Sequence, residues 1–85
     1  MKDVLEIVRA MWNNPKSVRF DDLCKVCEHY FGKPRKKGSH IMYKTPWQGD
    51  PRINLQDDKG KAKAYQVRQV IEAINRLEQL DENID

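Results

Sequence analysis

Apolar residues recur at helix or strand spacing in five stretches of the chain, and polar breaks separate them. From Asp3 to Trp12, the residues Val4, Leu5, Val8, Met11 and Trp12 follow one helix face, which predicts a short amphipathic helix over 3–12. Asn13-Asn14-Pro15 stops it, because proline disfavours helical backbone in the residue before it. Val18-Arg19-Phe20 reads as a brief extended link. A second helix is expected from about Asp22 to Phe31, with Asp21 as N-cap and Gly32 as the residue beyond its end. Its core stripe is Leu23, Val26, Cys27, Tyr30 and Phe31, at i, i+3, i+4, i+7 and i+8.

The period then changes from helix to strand. In His40–Lys44, Ile41 and Tyr43 share one face, and His40, Met42 and Lys44 share the other. Arg52–Gln56 alternates again, with Ile53 and Leu55 inward and Arg52, Asn54 and Gln56 outward. If the two strands pair as a hairpin, their polar sides form one face. Lys33–Lys37, which precedes them, reads either as a short first strand or as a basic loop. Two prolines and a glycine make Thr45–Pro51 a turn, and Asp57-Asp58-Lys59-Gly60 is a second one. From about Lys63 a long helix begins, its buried stripe Ala64, Val67, Val70, Ile71, Ile74 and Leu77, and its acidic end from Asp81 to Asp85 is expected to fray.

The expected fold is therefore a small α+β domain. Two or three antiparallel strands carry helices on one face and leave the other face polar. The 85 residues form a single domain, 1–85. It divides into an N-terminal helix over 3–12, a core over 20–77 and an acidic tail over 78–85. No apolar run approaches the roughly 18 residues of a membrane span, and the N-terminus has no signal-peptide core. A soluble cytoplasmic protein without membrane contact is the expectation.

Charge sharpens this picture. The formal net charge is +3, but residues 33–68 hold ten basic and three acidic side chains, while the flanking segments are neutral or acidic. Such a patch favours a polyanion, most often nucleic acid; a merely solvated surface is the plainer alternative. Cys24 and Cys27 lie inside a helix with no strand before them, so they read as core cysteines and not as a redox motif. With only His29 and His40 as further ligand types of that kind, no metal site is expected.

His40 is the candidate for chemistry. Gly38 can take a strained turn conformation before the strand, and if Ile41 and Tyr43 enter the core, His40 faces outward among cations. A solitary surface histidine is most often inert, but the Gly38-Ser39 setting and the basic surroundings favour catalysis. An imidazole with a reference pKa of about 6.5 populates both protonation states at neutral pH and can act as base or acid. Lys37, Lys44 and Arg52 are candidates to stabilise charge on a phosphate. Lys36, Lys37, Lys44, Arg52 and Asn54 are the candidate nucleic-acid contacts. Trp47 can stack on a base, cover the sheet edge or meet a partner protein. His29 reads as packed or solvated.

Glu28-His29-Tyr30-Phe31-Gly32 at a helix end, Gly38-Ser39-His40 at a turn and strand, and Val67-Arg68-Gln69-Val70 in the closing helix together resemble the HicA family of toxins. The similarity spans about Phe20 to Leu77. It implies a double-stranded-RNA-binding-domain-like fold and a cytoplasmic, metal-independent endoribonuclease that cleaves mRNA and is neutralised by a HicB-like antitoxin. It also implies that His40 is the catalytic residue, set by Gly38 and Ser39, with no cofactor. Two departures stand out. The helix over 3–12 is additional to the shortest members, and many members carry a histidine near the third strand where this chain has Asn54 and Gln56. A non-catalytic RNA-binding module on the same basic face is the alternative function, and a protein-interaction module for an acidic partner is a third.

Overall fold

A computed structural model describes residues 3–47 and 52–82. Helix α1 spans Val4–Asn13, and Asp3 caps it: its carboxylate accepts the Glu6 amide N–H at 2.9 Å. Ile7 and Met11 are buried, with Val4 and Val8 packed beside them. Leu5 and Trp12, expected on the buried stripe, are instead 68% and 54% exposed. The apolar residues of this helix cover more than one face, and packing against its neighbours selects the 4-7-8-11 face. Asn14 still donates its N–H to the Ala10 carbonyl, after which Pro15–Ser17 add one 3-10 turn.

Val18 and Arg19 are the extended link expected, and they have a partner. Ala62 N–H donates to the Val18 carbonyl at 2.9 Å, Arg19 bridges Lys61, and Phe20 N–H donates to the Gly60 carbonyl at 3.0 Å. Helix α2, Phe20–Phe31, therefore starts two residues before the expected Asp22, with Arg19 at the N-cap position and no side-chain cap. Asp21 is not the cap. It and Asp22 lie in the first turn, where the helix dipole favours negative charge. The burial of Phe20 and its backbone anchor at Gly60 set the start in place of a capping side chain. Gly32, at φ 89°, ends α2.

Three antiparallel strands follow: β1 Arg35–Lys37, β2 His40–Lys44 and β3 Arg52–Gln56, in the order β1-β2-β3. The basic stretch thus resolves as a strand. Between β1 and β2, Gly38 has φ 61° at the first position of a two-residue turn, the place where a type II′ turn takes glycine. In β2 and β3, Ile41 opposes Leu55 and Tyr43 opposes Ile53. Tyr43, Ile53 and Leu55 are buried and Ile41 is half-buried, all in contact with the helical core. Tyr43 also donates its hydroxyl to the Cys24 carbonyl at 3.3 Å, tying the middle of the sheet to α2.

Helix α3, Ala64–Glu82, closes the fold. Val67, Val70, Ile71 and Ile74 are buried as expected, and Ala73 and Gln66 join them. Before α3, the Asp57 carboxylate accepts the Gly60 N–H at 2.7 Å, and Lys59 and Gly60 both have positive φ. The result is an α+β fold with a three-stranded antiparallel sheet, helices on one face and an additional N-terminal helix. The last part of the expected 45–51 turn and residues 83–85 of the expected acidic tail lie outside the described residues. Among the described residues, no helix is long and apolar enough to cross a membrane.

Candidate functional site

The face of the sheet away from the helices is built by strand parity. Lys37 opposes His40, which opposes Gln56; Arg35 opposes Met42, which opposes Asn54; Lys44 opposes Arg52. Directly opposed residues point to the same side of a sheet, so all eight share one face. His40 is exposed on it, while its neighbours Ile41 and Tyr43 turn to the core.

The imidazole does not stand alone. His40 Nδ1 lies 3.0 Å from Asn54 Oδ1. A carboxamide oxygen only accepts, so Nδ1 carries the hydrogen and donates it. In the neutral ring this tautomer leaves Nε2 as the nitrogen with a lone pair, the atom that could accept a proton. The ring borders an open cleft of about 270 Å³, whose other walls include Arg52, Gln56, Tyr65 and Gln69.

Of the sequence candidates, Lys37, Lys44, Arg52 and Asn54 share the face with His40. Lys37 is nearest in register. Lys44 is four residues along β2, about 13 Å at strand rise, and Arg52 opposes it, yet Arg52 reaches back to line the His40 cleft. Lys36 does not join them. It opposes Ile41, so its parity is that of the helix-covered side, and it influences Cys24 electrostatically. Gly38 and Ser39 form the tight turn that delivers His40 to the start of β2.

Three contributors were absent from the sequence reading. Arg35, and not the candidate Lys36, accompanies Lys37 on this face; its parity with Lys37 is the signal that identifies it once Arg35–Lys37 is read as a strand. Tyr65 and Gln69 come from α3, which runs beside edge strand β3. They are four apart and so lie on one helix flank, but no local pattern relates that flank to His40. Gln66 makes the junction: buried at 2% exposure, it accepts the Gln56 N–H at 3.4 Å and donates to the Tyr65 hydroxyl at 3.4 Å.

The other singled-out residues lie apart from His40. Trp47 packs on the Phe31 ring and under the Arg76 guanidinium, 4.4 Å from its ring centroid, so it covers the flank of the sheet. His29 is exposed on α2, edge-on to Tyr30. Cys27 is buried in the core stripe, and burial pushes its thiol pKa well up; burial raises that of Cys24 too. Among the described residues, no three histidine, cysteine or acidic side chains gather as a metal-ligand set.

Compared with known proteins, the chain matches no family model, no curated protein and no solved structure.

Proposed function

We propose that this protein is an endoribonuclease toxin that cleaves mRNA in the cytoplasm, without a metal, through His40, and that a HicB-like antitoxin neutralises it by covering the same face. The observation that carries the reading is the His40–Asn54 contact, which in the neutral ring assigns the lone pair to Nε2, beside a cleft walled in part by Arg52. The order α2-β1-β2-β3-α3 is in keeping with the double-stranded-RNA-binding-domain-like fold that the sequence resemblance implies.

In the proposed reaction, Nε2 of His40 takes the proton of a ribose 2′-hydroxyl. The 2′-oxygen forms a bond to the adjacent phosphorus, the bond from phosphorus to the 5′-oxygen breaks, and that oxygen takes a proton from water, the hydroxide left behind being neutralised by the proton that His40 returns to solvent. The products are a 2′,3′-cyclic phosphate and a 5′-hydroxyl. General base catalysis of this kind contributes about 10²–10⁴-fold. Arg52 and Lys37 supply positive charge where the phosphorane gains negative charge.

One observation favours the second reading, a non-catalytic RNA-binding module. His40's neighbours on β3 are the amides Asn54 and Gln56, which exchange no proton near neutral pH. One experiment separates the two. Wild-type and His40→Ala proteins are incubated with defined RNA in EDTA, and the product ends are examined. Cyclic phosphate ends from the wild type alone support the enzyme. RNA bound but left intact by both supports the binding module.

A further inference from the structure

A second hollow opens on the sheet face, at the end of β2 away from His40. Lys33, Arg35, Lys44 and Arg52 line it, and Phe31 and Met42 contribute apolar wall, around a volume of about 310 Å³. Register places three of the charges: Arg35 opposes Met42, and Lys44 opposes Arg52. Among the described residues, none of those lining the hollow is acidic. Like charges gathered round a concavity with low-dielectric walls focus the potential and attract an anion.

An apolar wall beside cations suits one nucleotide, its base against Phe31 and Met42 and its phosphate on the lysines and arginines. We propose that this hollow is a second nucleotide subsite, which holds one phosphate and one base of an unpaired RNA strand whose scissile phosphate lies at His40. The proposal rests on reading the face as an RNA surface. Arg52 lines both the hollow and the His40 cleft, so the two adjoin across its side chain. Along β2 the lining of the hollow, Met42 and Lys44, lies about 7–13 Å from His40, so a phosphate in the hollow and one at His40 belong to different nucleotides of one strand. A base in an A-form duplex is stacked and cannot turn its face to such a wall, whereas an unpaired base can.

The test measures binding with cleavage removed. His40→Ala protein is titrated with a labelled single-stranded oligoribonucleotide over a range of salt concentrations; in parallel, the wild type is titrated with 2′-O-methyl RNA, which lacks the nucleophile. Arg35→Gln and Lys33→Gln, each introduced into both backgrounds, should weaken binding several-fold and make the slope of log K against log salt shallower by up to about 0.7, the share of the one phosphate held there on a single strand. Lys36→Gln, adjacent in sequence but opposite in parity, should leave the slope unchanged. A fully paired duplex should compete poorly.

Equal losses from Lys36→Gln and Arg35→Gln would reduce the hollow to diffuse charge and overturn the proposal, as would unchanged slopes or strong competition by the duplex. If Arg35→Gln weakens binding of polyglutamate but not of RNA, the hollow belongs to an acidic protein partner and the proposal fails. The two readings fail separately. RNA left uncut by the wild type, with the slopes as expected, removes catalysis and keeps the subsite; cutting with unchanged slopes does the reverse.

Discussion

His40 and Asn54 meet diagonally across two paired strands: Nδ1 of the ring is 3.0 Å from the carboxamide oxygen, although their direct cross-strand partners are Gln56 and Met42. Diagonal neighbours lie within reach of long or aromatic side chains, and here the contact determines which ring nitrogen is engaged by the protein. Without it the imidazole is free to rotate and to exchange tautomers. In the proposed reaction Asn54 is therefore a positioning residue, acting through His40.

Asn54→Ala should lower cleavage about 10–100-fold, by analogy with the loss of an orienting partner from a metal-ligating histidine. Asn54→Asp keeps an acceptor for Nδ1–H and should recover much of the loss. Its negative charge favours the imidazolium, so the acid limb of its rate profile should move to higher pH. Rates measured from pH 5 to 9 for the three proteins check this. Equal defects in Ala and Asp with no displaced limb would leave Asn54 a merely structural role.

Gly38 has φ 61°, and an added Cβ would meet nothing within 4 Å, so the cost of a side chain there is conformational and not steric crowding. Gly38→Ala should destabilise the protein by roughly 1–2 kcal/mol. It should also reduce cleavage by more than the fraction unfolded accounts for, because the turn delivers His40 to β2. Thermal unfolding and cleavage rates on the same preparation provide the comparison.

Along α1, Ile7 is 2% exposed and Leu5 is 68% exposed. Ile7→Ala should cost about 2–5 kcal/mol, as for other large aliphatic residues cut back in a core. Leu5→Ala should stay within about 0.5 kcal/mol. Urea unfolding of both variants distinguishes this helix orientation from the one that spacing alone suggested, in which Leu5→Ala would be the costly change.

Burial raises the thiol pKa of Cys27 above the ordinary value of 9.0, and the neighbouring Cys24 and Glu28 push the same way. Burial likewise raises Tyr43 and Cys24. In alkaline solution the unfolded chain releases these protons while the native state keeps them, so the unfolded state binds fewer protons and stability falls as pH rises. This contribution is fully present below about pH 9 and erodes above it, by up to about 1.4 kcal/mol per pH unit for Cys27. Urea midpoints from pH 7 to 10.5 should show that decline. Native Cys27 should also resist alkylation until the protein unfolds, and a thiol that reacts at once would contradict its burial.

The alternation in His40–Lys44 and Arg52–Gln56 was sufficient to assign the faces of β2 and β3, and with them the exposure of His40 and its company with Asn54, Lys44 and Arg52. Strand parity is a local property: once the backbone is extended, successive side chains oppose one another whatever lies around them. The helical stripes of α2 and α3 were legible for a similar reason, since each has a single continuous apolar face. What only the tertiary structure decided was relational. Leu5 and Trp12 face solvent because α1 docks on the other flank of its apolar surface, α2 starts at Phe20 because the Gly60 carbonyl holds it there, and Tyr65 and Gln69 reach the His40 cleft because α3 runs beside the edge of β3. Each of these depends on which surfaces meet, and burial energy, which selects among several apolar faces of similar merit, is shared by elements far apart in the chain.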